Sequence, residues 1–235
     1  QKESSYRSLY QCYDKVINLS DGSMIKKSLE FAEGQSAHAI FHKAPGEGPK
    51  PTIIIIPGMD AIKEDVSNPY TSDYLSRGMN VCAIDGPGQG ECNFNGVWLT
   101  EDNYQIAASK IIDWLISRDD VDNERLGVMG MSMGSRWGVQ VGAHDTRIKA
   151  VCGQMANVGT FDVIFEQAQP NFKRIFMYMT GYTNEDEFDE FMRNMDHLPD
   201  IAKNLKVPHL LVAGDMDELC SPADIVAFRK NLGGA

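Results

Sequence analysis

Residues 126–136 read Leu126-Gly127-Val128-Met129-Gly130-Met131-Ser132-Met133-Gly134-Ser135-Arg136, and their reading decides the fold. A short apolar run ends in a serine with a glycine two residues away on either side. An apolar helical pattern, Trp137, Val139, Val141 and Gly142, follows at once. In a G-x-S-x-G turn a buried strand bends sharply into a helix. Side chains do not fit at the two glycine positions, and the serine hydroxyl is left clear of the sheet beside the free N–H groups of the helix start. The string alone recurs by chance, so the strand before it and the helix after it carry the weight. Ser132 is therefore the candidate nucleophile of a strand–turn–helix unit.

Outward from this unit, Thr52–Ile56 holds four consecutive isoleucines before Pro57-Gly58, the pattern of a central strand buried on both faces. Asn80–Ile84 is a second apolar strand, ended by Asp85-Gly86-Pro87-Gly88-Gln89-Gly90, and Lys149–Gly153 and Pro208–Ala213 are two more. Between them, Lys63–Arg77 is polar and helix-compatible and closes at Gly78. Glu101–Ser117 is an amphipathic helix with Ile106, Ala107, Ile111, Trp114, Leu115 and Ile116 at helical spacing, and Asp119–Glu124 is an acidic turn. Nearer the start, Tyr13–Phe31 alternates around Ser20-Asp21-Gly22-Ser23, which predicts a hairpin, and Ser36–His42 predicts a third strand. Strands alternating with helices, with no internal repeat, predict an α/β fold with a mostly parallel sheet covered on both faces, as a single domain over 1–235.

Composition narrows the function. With 43% hydrophobic residues the chain can bury a full core, and a net charge of -11 without a Lys/Arg block argues against nucleic acid and anionic membranes as partners. Five scattered cysteines without a C-x-x-C pair suit reduced, cytoplasmic usage, and Cys82 and Cys152 read as small core residues. No apolar stretch approaches the ~18 residues of a membrane span, and Gln1–Tyr10 has no signal-peptide core.

Residues 160–205 differ in character, with Phe161, Phe165, Phe176, Met177, Met179 and Tyr182 mixed among acids. Two readings stand: a pair of ordinary surface helices, or a helical lid inserted over the site, shaping an apolar pocket for an apolar or aromatic small molecule. The segment begins just after a strand end, where open α/β sheets place ligands.

A serine needs a base, a group to orient that base, and donors for the oxyanion. The donors are expected from the backbone amides of Met133, after the nucleophile, and Met59, in the turn after the isoleucine strand. Three acids compete in the loop after Pro208–Ala213: Asp215, Asp217 and Glu218. Ser221 and Pro222 read as N-cap and first turn of the next helix. No P-loop, dinucleotide fingerprint or metal-ligand spacing is present, so neither cofactor nor metal is expected. The expected partners reduce to a small-molecule substrate and, at most, a second copy of the chain.

Pro57-Gly58-Met59-Asp60, Asp85-Gly86-Pro87-Gly88-Gln89-Gly90-Glu91, Gly130-Met131-Ser132-Met133-Gly134 and Gly214-Asp215-Met216-Asp217 resemble, in order, the four landmark motifs of the α/β-hydrolase superfamily. With Lys63-Glu64 after the first turn, they are similar to the branch that includes 2,6-dihydroxypseudooxynicotine hydrolase. The resemblance spans about residues 36–230. It implies cleavage of a carbon–carbon bond next to a ketone, or of an ester, through an acyl-enzyme, and it selects Asp217 as the triad acid. It also implies a helical segment before the core, of which Gln1–Tyr10 would be the end. The order Ser, acid, His places the base after Asp217. His38, His42, His144, His197 and His209 all precede it, so the last strand and the catalytic histidine are expected beyond Ala235, with His197 as the in-chain substitute. The rival functions are a simple carboxylesterase, a prolyl-oligopeptidase-type peptidase, and a non-catalytic protein that keeps the pocket without the base.

Overall fold

The computed structural model describes residues 2–67, 71–161, 163–195 and 198–232. In chain order, α1 (Lys2–Asn18) leads into β1 (Met24–Ala32), β2 (Gln35–His42) and β3 (Lys50–Ile56). Then come α2 (Lys63–Ser67), α3 (Thr71–Ser76), β4 (Asn80–Asp85), α4 (Gly90–Phe94), α5 (Asn103–Ile116), β5 (Val121–Met131), α6 (Met133–His144) and β6 (Ile148–Gln154). A π-helical turn, Val163–Gln167, precedes α7 (Pro170–Thr180), α8 (Glu185–Met195) and α9 (Leu198–Ala202), and β7 (His209–Val212) and α10 (Pro222–Lys230) follow. The strands form one sheet in the order β1-β2-β4-β3-β5-β6-β7, antiparallel at β1/β2 and β2/β4 and parallel from β4 onward. This is the expected α/β architecture.

The isoleucine run shows why the sheet must be covered twice. Side chains alternate across a strand. Ile54 and Ile56 enter the larger apolar core with Ile111 of α5, Trp137 of α6, Ala202 of α9 and Phe228 of α10, whereas Ile53 and Ile55 pack on the other face with Val66 of α2 and Tyr74 of α3. Every residue of β4 is buried. The Ser221–Asp224 capping box with Pro222 in the first turn starts α10 as expected.

Three expectations are corrected. The hairpin predicted over Tyr13–Phe31 is instead the end of α1 followed by β1, and the hairpin joins β1 to β2 at Gly34 (φ 68°). Asp21 (φ 49°) and Gly22 (φ 78°) do turn, but they end a helix: Ser20 Oγ donates to Ile17 O at 2.6 Å and accepts from Met24 N at 3.1 Å. Tyr6, Tyr10 and Tyr13, at helical spacing, set the period there, with Tyr6 and Tyr10 stacked at 5.8 Å. The acidic turn at Asp119–Glu124 is partly strand, because β5 starts at Val121. Within the helix-compatible stretch Lys63–Arg77 the described residues form α2 and α3, and 68–70 lie outside them. Cys152 is half-buried, in contrast to the fully buried Cys82, and all five cysteines are free thiols.

Candidate active site

Ser132 stands between β5 and α6 with φ 51° and ψ −123°, a conformation that residues with a Cβ rarely adopt. The flanking glycines are there because nothing larger fits. A Cβ at Gly130 would run into the carbonyl oxygen of Gly134, and one at Gly134 would run into the carbonyl of Ile56. The turn is tied down by Ser132 N donating to Gln154 O at 2.8 Å, and by Ser135 Oγ donating to Ser132 O at 2.6 Å while accepting from Asn157 N at 2.8 Å. Ser132 itself is half-buried at the C-terminal edge of the parallel strands.

Gly58 lies directly over this serine: a Cβ built on it would come 3.5 Å from Ser132 Cβ. Its value is this open space, since it is not among the glycines with positive φ. Met59 is 8% exposed and Met133 2% exposed, and the Met133 amide heads α6, where backbone N–H groups lack helical partners. Ile56 and Gly130 are paired across β3 and β5, so the two turns leave neighbouring strand ends side by side. The carbonyls of Pro57 and Gly58 both accept from Gln89 Nε2, at 3.2 and 2.9 Å.

Met131, Gln154 and Val212 are aligned across β5, β6 and β7, so the loop after β7 opens at the same edge as Ser132, two strands away or about 10 Å. In that loop Asp217 is half-buried, and its Oδ1 accepts from Leu219 N at 2.8 Å and Cys220 N at 3.3 Å. Asp215 and Glu218 are exposed. The described histidines stand apart from Ser132. His42 closes β2, His144 closes α6 and His209 opens β7, all at the opposite edge of the sheet. His38, opposite Asp85, lies three strands over from β5, about 14 Å away. His197 lies outside the described residues.

The described residues of 160–205 are largely helical and lie between β6 and β7. Phe161, Phe176, Met177 and Met179 are buried, Phe165 and Tyr182 half-buried. Phe176 is the hub of an aromatic cluster, with ring centroids 5.8 Å from Phe161, 5.1 Å from Phe165 and 6.3 Å from Phe188. The segment is tied to its surroundings at its start and near its middle. The Arg136 guanidinium, on the first turn of α6, sits 3.9 Å over the Phe161 ring, and Met179 O accepts from Leu99 N at 2.9 Å. These buried side chains share one continuous core with Met59 and Met133.

Beside the site lies a charged cluster that sequence reasoning passed over. The Lys63 ammonium is fully shielded from solvent and contacts Asp85 at 2.8 Å, Glu91 at 2.8 Å and Glu64 at 2.9 Å. The Asp85 carboxylate also accepts from the amides of Lys63 and Glu91. Three carboxylates facing one buried ammonium, with Lys26 reaching Glu91 from the rim at 3.1 Å, leave an excess of negative charge. Burial, with Asp85 alongside, pushes the Glu64 carboxyl up to about 7, and its second oxygen has no partner among the described residues. Lys63, held by its carboxylates against the cost of burial, stays well above its ordinary value. Tyr10 of α1 covers the cluster, its ring 5.0 Å from Lys63 Nζ, and Tyr13 OH donates to Glu64 O at 3.1 Å. The residues stood in the quoted motifs; the available signal was a charged pair, Lys63-Glu64, inside a stretch that must pack on an apolar sheet face. No described group of three or more His, Cys, Asp or Glu is arranged to hold a metal ion, and no described helix is long and apolar enough to cross a membrane.

A family model described as "Esterase FrsA-like" matches residues 8–180. The chain is 26% identical over 174 residues to 2,6-dihydropseudooxynicotine hydrolase of Paenarthrobacter nicotinovorans, covering 74% of this chain and 46% of that protein. It is also 26% identical over 185 residues to hydrolase LUC6 of Fusarium sp., covering 75% of this chain and 43% of that one. The chain thus spans less than half the length of these curated relatives. Among solved structures, the crystal structure of 2,6-dihydroxy-pseudo-oxynicotine hydrolase matches with a TM-score of 0.86 at 22% identity, over 95% of this chain and 62% of that chain. That likeness gives the fold, the α/β-hydrolase fold.

Proposed function

This chain belongs to the FrsA-like esterase family, and from that premise we propose that it is a cofactor-independent serine hydrolase whose nucleophile is Ser132. The observation that carries the reading is the Ser132 turn, with its left-handed backbone and the carbonyl oxygens packed against Gly130 and Gly134. Ser132 Oγ attacks a substrate carbonyl carbon while a base takes its proton, and the amides of Met59 and Met133 receive the oxyanion. Collapse expels an alcohol from an ester, or a carbon leaving group from a ketone, which takes the proton from the base. Water then releases the acyl group. Asp217 orients the base, a histidine from outside the described residues. The half-buried carboxylate of Asp217, already fixed by two amides, favours it over the exposed Asp215.

Residues 160–205 act as the lid, and their Phe and Met side chains favour an apolar or aromatic substrate. The five free thiols suit a reducing, cytoplasmic setting. A fluorophosphonate probe should label the full-length protein at Ser132 and fail on Ser132→Ala; equal labelling of the alanine variant overturns the assignment. Product analysis with paired aryl ester and aryl β-diketone substrates then separates ester from carbon–carbon cleavage.

A further inference from the structure

We propose, resting on the serine-hydrolase reading, that Gln89 is a positioning residue that aims the Met59 amide at the oxyanion. Gln89 is 2% exposed, in the turn between β4 and α4, and both ends of its amide are engaged. Nε2 donates to Pro57 O at 3.2 Å and Gly58 O at 2.9 Å, and Oε1 accepts from Tyr104 OH at 2.7 Å. Two backbone carbonyls can only accept, so the NH₂ end must face them and the oxygen must face the tyrosine.

The consequence follows from the planarity of the peptide. Gly58 C=O and Met59 N–H belong to one trans peptide unit and point in opposite directions. Holding that carbonyl toward Gln89, with Ala61 N adding a second donor at 3.3 Å, turns the Met59 N–H the other way. Tyr104 anchors the relay. Its ring is stacked on Trp137 of α6 at 4.7 Å and 8°, and it lies where a Cβ on Gly86 would collide with it. Burial raises its hydroxyl well above the ordinary range, so it remains a neutral donor. Trp137 stands five residues after Ser132 on α6, so the relay runs from the Gly58–Met59 peptide through Gln89 and Tyr104 to the helix that the nucleophile opens. The two oxyanion amides are thereby referenced to each other.

A purely structural glutamine would matter for stability and little else, whereas a positioning glutamine acts when charge develops on the oxygen. The test uses the full-length protein, with p-nitrophenyl acetate as substrate, an aryl trifluoromethyl ketone as transition-state mimic and fluorophosphonate labelling of Ser132 on the same samples. Gln89→Leu should lower kcat about 100-fold with KM within about threefold, and weaken the ketone by a comparable factor. Tyr104→Phe keeps the stacked ring and should lower both about tenfold, and it decides the matter if Gln89→Leu does not fold. Unchanged kcat and ketone affinity in a folded variant, or a loss of thermal stability alone, overturns the role of Gln89 while Ser132 labelling leaves the nucleophile standing. Wild-type protein that neither labels at Ser132 nor turns over overturns both.

Discussion

Lys63 Nζ and Asp85 Oδ2 lie 2.8 Å apart with both side chains completely shielded from solvent. The pair joins the segment after the Gly58 turn to the end of β4. Removing the ammonium would strand the carboxylates of Asp85, Glu64 and Glu91 around an empty position. Lys63→Met should therefore cost about 3–5 kcal/mol, or leave no soluble protein, whereas Glu64→Gln should cost much less because Glu64 carries the surplus charge. Urea unfolding of the two variants checks the order.

The glycines of the site should divide into two kinds. Gly134→Ala drives a methyl into the carbonyl of Ile56, so it should lower stability by about 1–3 kcal/mol and cut phosphonate labelling of Ser132 at least about 100-fold. Gly58→Ala meets only ordinary contacts at 3.5 Å and should keep its thermal midpoint. Its methyl would stand over Ser132, so the labelling rate should still fall.

Asp217→Asn should reduce turnover by about 10⁴, the scale on which losing an orienting carboxylate disables a serine–histidine pair. Asp215→Asn, at an exposed position, should stay within a few-fold. Steady-state kinetics of the two variants checks the choice of acid; the reverse order would move the role to Asp215.

Two buried groups should tilt the pH–stability profile in opposite senses. Burial pushes His42 down from 6.5 to about 4. Between those values the unfolded chain binds the extra proton, so stability is full above about pH 6.5 and is lost toward pH 4. Glu64 is raised from 4.5 to about 7, so the folded chain holds the extra proton and stability declines as pH rises across that window. His42→Gln should expose the falling limb and Glu64→Gln the rising one, read as melting temperature between pH 4 and 8.

The strands and the elbow were legible because each rests on local chemistry. The isoleucine run could only be a doubly covered strand, and Gly130 and Gly134 announced a turn without room. The first segment misled because its alternation was weak and its decisive contacts, Tyr10 and Tyr13 on the Lys63 cluster, come from residues more than 40 positions away. The roles of Gln89 and Lys63 were hidden for a similar reason. Both residues were in view, but a side-chain amide clasping two distant carbonyls, or an ammonium gathering three carboxylates, leaves no periodic trace. The aromatic stretch was visible as composition, yet only the packing of Phe176 against Phe161, Phe165 and Phe188 shows that these rings hold each other.

The pairing of Ile56 with Gly130 carries a consequence for how such a protein can diversify. The spacing between the turn at Gly58 and the turn at Ser132 is inherited from the hydrogen-bond ladder of two parallel strands, about 4.8 Å, and owes nothing to the side chains at 59 or 133. Residues 160–205 attach to that edge without contributing to its ladder. Sequence change between β6 and β7 can therefore accumulate while the spacing of the two turns stays as the ladder sets it.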